Sequence, residues 1–441
     1  TASYASGANT TTFNGTGKQI FTVNIAAPLS LNNLTIDKPA GTDFSLDGTQ
    51  NTINVLSDLA LVLGNMNDNG STVNVTGNVF NSGIHSGAGN IVLNGTSTQT
   101  IDGNGVFENL ELNNTNAAVA PVALIANTAV NGNLTFSQDK LLNLDTYNLT
   151  LGASAAVING GGARYFQTAG NVGDGGLTKV YSTPADFVFP VGVDNYTPAT
   201  LGLSAAPTAY GSITVVPVNF EHPIVTVNGR SLTYYWRVKS SGFSLGGATV
   251  NHSYVYDQSN VVTGADITED EYVAARFDNT TNSWSTGTAV DVNEGSNIIG
   301  EPGPGSFLEN TAFIDGDYTA GDDNPTTPFG VPRIFYSRIN GAGAGSGWWG
   351  NANIWSFDSN TGPANTSGAV PGGSDIVVIA GLDSVFLNTA PTIPDTDLRS
   401  CASLKIESGS ALDIGYNPGS NFTVVLSNEN GNGNFRLTTS F

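Results

Sequence analysis

Basic residues are scarce in this chain. Its 441 residues include 14 Lys and Arg against 36 Asp and Glu, for a formal net charge of −22 at pH 7. A field of that sign repels phosphate, which excludes nucleic acid as a partner and disfavours anionic lipid surfaces. Charge of either sign is scarce too, at 11% of residues against roughly 25% in an ordinary soluble protein. The missing Lys and Glu are strong helix formers, whereas the Gly, Asn and Thr that replace them are poor ones, so an all-α fold is excluded. Cysteine is nearly absent: Cys401 stands alone, which rules out an intramolecular disulfide. It lies in an apolar-alternating stretch and reads as a small buried hydrophobe. No apolar run approaches the ~18 residues of a membrane helix. The nearest, from Val119 to Val130, is interrupted by Pro121, Asn127 and Thr128. Hydrophobic residues still make up 39% of the chain, too many for a disordered protein.

What is present is an internal repeat. Phe13-Asn14-Gly15-Thr16-Gly17-Lys18-Gln19 returns as Leu93-Asn94-Gly95-Thr96-Ser97-Thr98-Gln99, offset by 80. Leu31 to Ile36 returns as Phe107 to Leu112 (offset 76), Val55 to Leu61 as Val130 to Phe136 (75), and Asn74 to Thr76 as Asn148 to Thr150 (74). The order and the slow drift mark a duplication, with halves of about 75–80 residues at about 12–90 and 91–163. Within each half the apolar residues alternate with polar ones, as in Leu34/Ile36, Leu59/Leu61/Leu63, Val73/Val75 and Leu149/Leu151. Period two means short strands with one buried face. Asn-Gly turns such as Asn14-Gly15, Asn69-Gly70 and Asn131-Gly132 punctuate them. Together these predict a β-solenoid over residues 1–163, with three to four coils per half at roughly 20–25 residues each. In such a stack Asn side chains are expected to form ladders, while Lys or Glu would place like charges above one another.

After Gly162 the strands lengthen and aromatics increase. Residues 164–325 are expected to form an immunoglobulin-like β-sandwich of seven to nine strands, with Tyr235, Trp236 and Phe243 in its core. Gly321 to Pro332 reads as a linker and Gly341 to Gly347 as a flexible run. Ile376 to Ile379 and Ser403 to Glu407 resume the alternating pattern, so residues 326–441 read as a linker and the start of a second β-solenoid. The expected fold class is therefore all-β.

Several phrases carry a family resemblance: Asn33-Leu34-Thr35-Ile36, Phe187-Val188-Phe189-Pro190-Val191-Gly192 followed by Tyr196-Thr197-Pro198, Tyr234-Tyr235-Trp236-Arg237-Val238, and Asn353-Ile354-Trp355-Ser356 leading to Pro371-Gly372-Gly373-Ser374-Asp375. They resemble the very large cell-surface proteins of Bacteroidota, which include gliding-motility adhesins exported by the type IX secretion system. The resemblance spans most of the chain. It implies an extracellular, multi-module adhesin or filament that meets the secretion machinery during export and neighbours other modules of one long chain. Such proteins carry a C-terminal sorting domain, which is not recognisable here, so the chain is expected to be a processed or internal piece.

Chemistry is sparse. His85, His222 and His252 are scattered without metal-ligand spacing. Only Lys18, Lys38 and Lys140 are basic in the first 163 residues, too few to stabilise charge on an acidic polysaccharide. Asn65-x-Asn67-x-Asn69-Gly70 has the start of a calcium-loop spacing, but Thr76 stands where the loop needs Glu, so it reads as a turn. Asp315, Asp317, Asp322 and Asp323, with Asn324, gather hard oxygens at a domain boundary and are the candidate calcium ligands; Asp-Gly-Asp also makes a turn. Trp348, Trp349 and Trp355 can stack on sugar rings or cap the end of a solenoid, and the cap is the favoured reading. Asp383-Ser384-Val385 resembles the short O-glycosylation motif of the same bacterial group, and an ordinary loop is the competing reading. The expectation is a non-catalytic structural or adhesive surface module, contacting surfaces or extracellular glycans and not inserted in a membrane. The alternative is a secreted carbohydrate-active β-helix protein.

Overall fold

The computed structural model describes residues 7–264, 266–300, 306–324, 326–339, 346–372, 375–387, 401, 403–413 and 434–436. They form an all-β protein with a β-solenoid; the only helices among them are four short 3-10 turns. Each coil gives one strand to each of three parallel sheets. The first sheet stacks nine strands, from Thr10–Phe13 through Asn33–Asp37 to Val191–Gly192. The second begins with Gln19–Val23 and Asp43–Gly48, and the third runs over seven strands from Leu29–Leu31 to Ala156–Ile158. Successive strands of the first sheet start 20 to 26 residues apart. At about 4.8 Å per hydrogen-bonded neighbour, the nine strands span about 40 Å.

Alternation places one side chain in two inside, and parallel register stacks like on like. Leu31, Val55, Val75, Leu93, Leu112 and Phe136 form one such column in the third sheet. All six are buried. The polar ladders at the corners differ from the amide-on-amide stacking expected. Asn54 and Asn74 do pair side chain to side chain, at 2.9 Å. The commoner arrangement has a corner carboxamide or carboxylate accepting a backbone N–H of the next coil. Asn33 Oδ1 accepts from Asp58 N, Asp58 Oδ1 from Asn78 N, and Asn78 Oδ1 from Thr100 N, at 2.7–3.0 Å.

The duplication is not a whole number of coils. Thr10–Phe13 corresponds to Asn90–Leu93, Gln19–Val23 to Gln99–Asp102, and Thr72–Val75 to Asn148–Leu151, in each case eleven strands later. Eleven strands are three and two-thirds coils. A segment of the first sheet therefore recurs in the third, one of the second in the first, and one of the third in the second.

The parallel stack continues beyond residue 163. Phe166–Thr168 pairs with Leu142–Asp145, and Gly176–Val180 with Asn148–Leu151, both in parallel. Gly176–Val180 is the splice: its other edge pairs antiparallel with Ser212–Val218. The composition shift after Gly162 reflects the approach of this antiparallel layer, not the last coil. Ser212–Val218 pairs with Tyr235–Ser241, and that strand with Gly316 to Tyr318. A second antiparallel sheet holds Asp186–Phe189, Ala199–Leu203, Val250–Val255, Ile298–Ile299 and Val292–Asn293. Trp236 is fully buried, 5.1 Å from the Tyr254 ring, which stacks on Tyr318 at 4.9 Å.

Two compact units emerge, and they are interleaved in sequence, unlike three consecutive domains. One comprises Thr1–Phe220, Tyr234–Val261 and Gly287–Ala320; the other comprises Glu221–Thr233, Val262–Thr286 and Gly321–Phe441. In the second unit, Ile334–Ser337, Ile376–Ile379 and Ser403–Ile406 pair in parallel, as do Ser346–Trp348, Ser384–Phe386, Ala411–Asp413 and Asn434–Arg436. The stretch read as a linker is packed: Phe329 is buried with Val225, Val273 and Ala275, and Thr226 N donates to Pro328 O. Most of the glycine run after Asn340 lies outside the described residues.

Corner glycines follow from coil spacing. A Cβ on Gly89 would lie 2.0 Å from Ser71 O of the preceding coil, whereas one on Gly17 meets nothing within 4 Å. Gly89→Ala is therefore expected to cost about 1–3 kcal/mol through forced backbone displacement. Gly17→Ala should be neutral or stabilising by up to about 1 kcal/mol through the unfolded state. Urea midpoints of the two variants check this, and equal midpoints would refute it.

Candidate functional site

Several chemically capable side chains of the solenoid, among them Lys38, Asp68, His85 and Lys179, are buried, while Lys18, Asp37, Asp47 and Asp58 are exposed. Lys38, fully buried just after Asn33–Asp37, donates its ammonium to Gly15 O, to Gly17 O at 2.5 Å and to Gln19 Oε1 at 3.0 Å. These are corner groups of the preceding coil. In the duplicate, Asn114 takes the same place and its Nδ2 donates to Ser97 O (2.7 Å) and Gln99 Oε1 (2.8 Å). A third cradle holds Lys179, whose Nζ donates to Gly152 O, Ala153 O and Ala155 O at 2.6–3.0 Å. Burial pushes the Lys179 ammonium below its ordinary pKa. An ammonium has three donors and no acceptor, so a ring of carbonyls is the partner it requires.

Asp68 and His85 form a buried pair that spacing along the chain does not suggest. His85 occupies an inward position opposite Met66 of the preceding coil. Its Nδ1 accepts from Glu108 N at 3.3 Å, so Nε2 carries the proton and donates to Asp68 Oδ2 at 2.8 Å. Asp68 Oδ1 accepts from Gly70 N and Gly89 N. A Cβ on Gly87 would fall 2.1 Å from that same oxygen. One chain of hydrogen bonds thus ties three successive coils. The other two histidines are buried as well: His222 against Trp284 and Phe277, and His252 against Tyr254 and Tyr318.

The structure assigns the candidate calcium ligands other contacts. Asp317, fully buried, receives Arg237 Nε at 2.8 Å and Nη2 at 2.7 Å in a bidentate pair. Asp322 receives Arg230 Nη2 at 3.0 Å and Asn324 N at 2.8 Å. Asp315 Oδ1 accepts from Ser240 N at 2.5 Å, while Asp323 is exposed. Among the described residues no three Asp, Glu, His or Cys side chains converge on one point. Asn65-x-Asn67 is a strand, and Asn69 and Gly70 turn the chain with φ of 51° and 81°.

Trp349 and Trp355 lie in the core of the second unit, 2% and 0% exposed, with ring centroids 5.3 Å apart. Trp355 Nε1 donates to Trp349 O at 2.8 Å. A sugar needs an open ring face, which neither offers; Trp348 is half-buried over Gly350. Cys401 packs against the same core, and burial, followed by the charge of Asp375, pushes its thiol up to about 12. Ser384 of the glycosylation motif sits in the strand Ser384–Phe386, and Asp383 is buried.

No known family, curated protein or solved structure matches this chain. Among the described residues no helix is long and apolar enough to cross a membrane.

Two measurements probe these buried groups. In a double-mutant cycle, Asp68→Ala and His85→Ala should each destabilise by about 1–3 kcal/mol and show a coupling of at least about 0.5 kcal/mol; additive losses would exclude the interlock. Burial also raises several phenols: Tyr272 is pushed up to about 12, and Tyr181 and Tyr234 move in the same direction. In the unfolded chain these groups ionise near 10.0. Their contribution is thus complete below pH 10 and lost as pH rises toward the native values. The unfolding free energy from urea titrations should fall between pH 10 and 12, by up to about 1.4 kcal/mol per pH unit for each phenol. Tyr234→Phe should make that fall shallower, and an unchanged slope would show that Tyr234 is not involved.

Proposed function

We propose that this chain is a non-catalytic structural or adhesive module of a large bacterial surface protein, extracellular, serving as stalk, spacer or surface-binding segment. The resemblance of phrases such as Asn33 to Ile36 and Tyr234 to Val238 to the Bacteroidota adhesins of the type IX secretion class supports that setting. The observation that carries the reading is the employment of the solenoid's polar interior. Lys38, Asp68, His85, Gln99, Asn114 and Lys179 are all occupied in joining one coil to the next. A group held between coils positions backbone; it does not meet substrate.

The finer architecture belongs to the same proposal. The two antiparallel sheets around Trp236 are an immunoglobulin-like sandwich, supported by their aromatic core and by the Trp236 Nε1 bond to Thr197 O. The parallel pairings of Ile376–Ile379 and Ser403–Ile406 support a second solenoid in the second unit.

A polysaccharide panel tests the function. Incubation of the purified chain with neutral and acidic polysaccharides should release no reducing ends, while a glycan array reports adhesion. Binding without turnover would identify the adhesive role, and neither would leave the stalk or spacer role. Turnover of any polysaccharide would overturn the proposal in favour of a carbohydrate-active enzyme.

A further inference from the structure

The Asn-Gly turns that punctuate the chain are also reactive links. The backbone nitrogen of the glycine can attack the side-chain Cγ of the asparagine before it, and glycine has no Cβ to obstruct the approach. Attack requires that nitrogen to lose its proton, so an N–H held in a hydrogen bond must first give the bond up. Seven such pairs lie among the described residues, and in six of them the glycine N–H is engaged. Gly15 and Gly95 donate to Gln19 Oε1 and Gln99 Oε1 at 3.0 and 2.9 Å. Gly70 donates to Asp68 Oδ1 at 2.8 Å, and Gly229 to both oxygens of Glu221 at 2.9 Å. Gly105 and Gly132 donate to Asn81 O and Glu108 O of the preceding coil, at 2.7 and 2.6 Å. Gly160 is the exception: its N–H has no acceptor among the described residues. Asn159 and Gly160 are both exposed, so water reaches them. They turn the chain just past Ala156–Ile158, the last strand of the third sheet, with Asn159 at a φ of 63°.

We propose that Asn159-Gly160 is a modification site of the folded chain, where asparagine converts to aspartate and isoaspartate with water as the co-reactant. The Gly160 nitrogen gives its proton to hydroxide and bonds to Asn159 Cγ. The Cγ–Nδ2 bond breaks, and Nδ2 takes a proton from water and leaves as ammonia, which closes a succinimide ring. Water then adds to one ring carbonyl. Cleavage of the bond from Cγ to the Gly160 nitrogen gives aspartate, and cleavage of the original peptide bond gives isoaspartate. One water is consumed and one ammonia released, with no change of oxidation state. The product places a new carboxylate beside Arg164, whose Nη1 donates to Asn159 O at 3.5 Å. It also loses a donor, since Asn159 Nδ2 bonds Phe136 O of the preceding coil at 3.2 Å and a carboxylate cannot. This chemistry is independent of the stalk or adhesive role.

The test incubates the purified chain at mildly alkaline pH, folded and in concentrated urea. Peptide mapping by mass spectrometry follows the seven pairs through the mass gain of amide-to-acid conversion. In the folded chain Asn159 should convert at least about fivefold faster than any of the other six, the factor expected for one net hydrogen bond. In urea the seven rates should converge. Gly160→Ala adds a Cβ that meets only Val157 Cγ1 at 3.0 Å and Pro190 at 3.5 Å; it should slow conversion at Asn159 and leave the other six rates unchanged. Conversion at Asn159 no faster than at the hydrogen-bonded pairs overturns the proposal. So does the same ranking in urea, which would assign the rate to neighbouring sequence and not to the fold. A Gly160→Ala chain that converts Asn159 at the original rate overturns it as well, since attack by the residue-160 nitrogen would then not be the route.

Discussion

Parallel strands meet at about 4.8 Å, and in a stack of coils that spacing governs every residue. Each side chain sits over the corresponding one of the next coil, so what is tolerable at a position is what tolerates its own kind above and below. Apolar residues satisfy this in columns such as Leu31 to Phe136. At corners the backbones approach so closely that a methyl group is excluded, as at Gly89 beneath Ser71 O. Like charges fare worst, which gives the low content of Lys and Glu a physical cause.

The interior is nevertheless not apolar throughout. Corner turns leave carbonyls pointing inward, and buried carbonyls need donors. The fold answers with side chains from the adjacent coil. Lys38 and Asn114 occupy equivalent cradles, one with an ammonium and the other with a carboxamide. The requirement is therefore an N–H of the right reach, not a charge. The Asp68–His85 pair answers the converse need: its carboxylate and imidazole accept the backbone N–H groups of Gly70, Gly89 and Glu108. In the antiparallel layer, where strands do not repeat, the buried carboxylate of Asp317 is met by a guanidinium instead.

Much of this was legible in the sequence because period two survives wherever one face is buried. Leu34/Ile36 or Leu149/Leu151 declare a strand without any knowledge of partners. The duplication was legible too, but its three and two-thirds coils were not, since similarity between segments carries no label for the sheet they join. Gly176–Val180 escaped for a related reason: its residues alternate normally, while its two edges face different kinds of sheet. Contacts across the chain were the hardest. Asp317 and Asp322 look like neighbours in a calcium cluster until Arg237 and Arg230, 80 and 92 residues away in sequence, are placed beside them. His85 and Asp68 become partners only when the coil length between them is known. The signal available was Gly87, a glycine whose absent Cβ makes room for the Asp68 carboxylate.

The interleaving of the two compact units bears on how such a chain is inherited. The polypeptide passes from one unit to the other five times between Phe220 and Gly321. No single break in the gene within that interval yields either unit whole, because each would lack strands encoded on the far side. The duplication lengthened the solenoid by three and two-thirds coils without regard to whole turns, whereas the interval between Phe220 and Gly321 must be passed on intact to keep either unit whole. The two regions therefore evolve under different grammars, one copied in thirds of a coil and the other transmitted all at once.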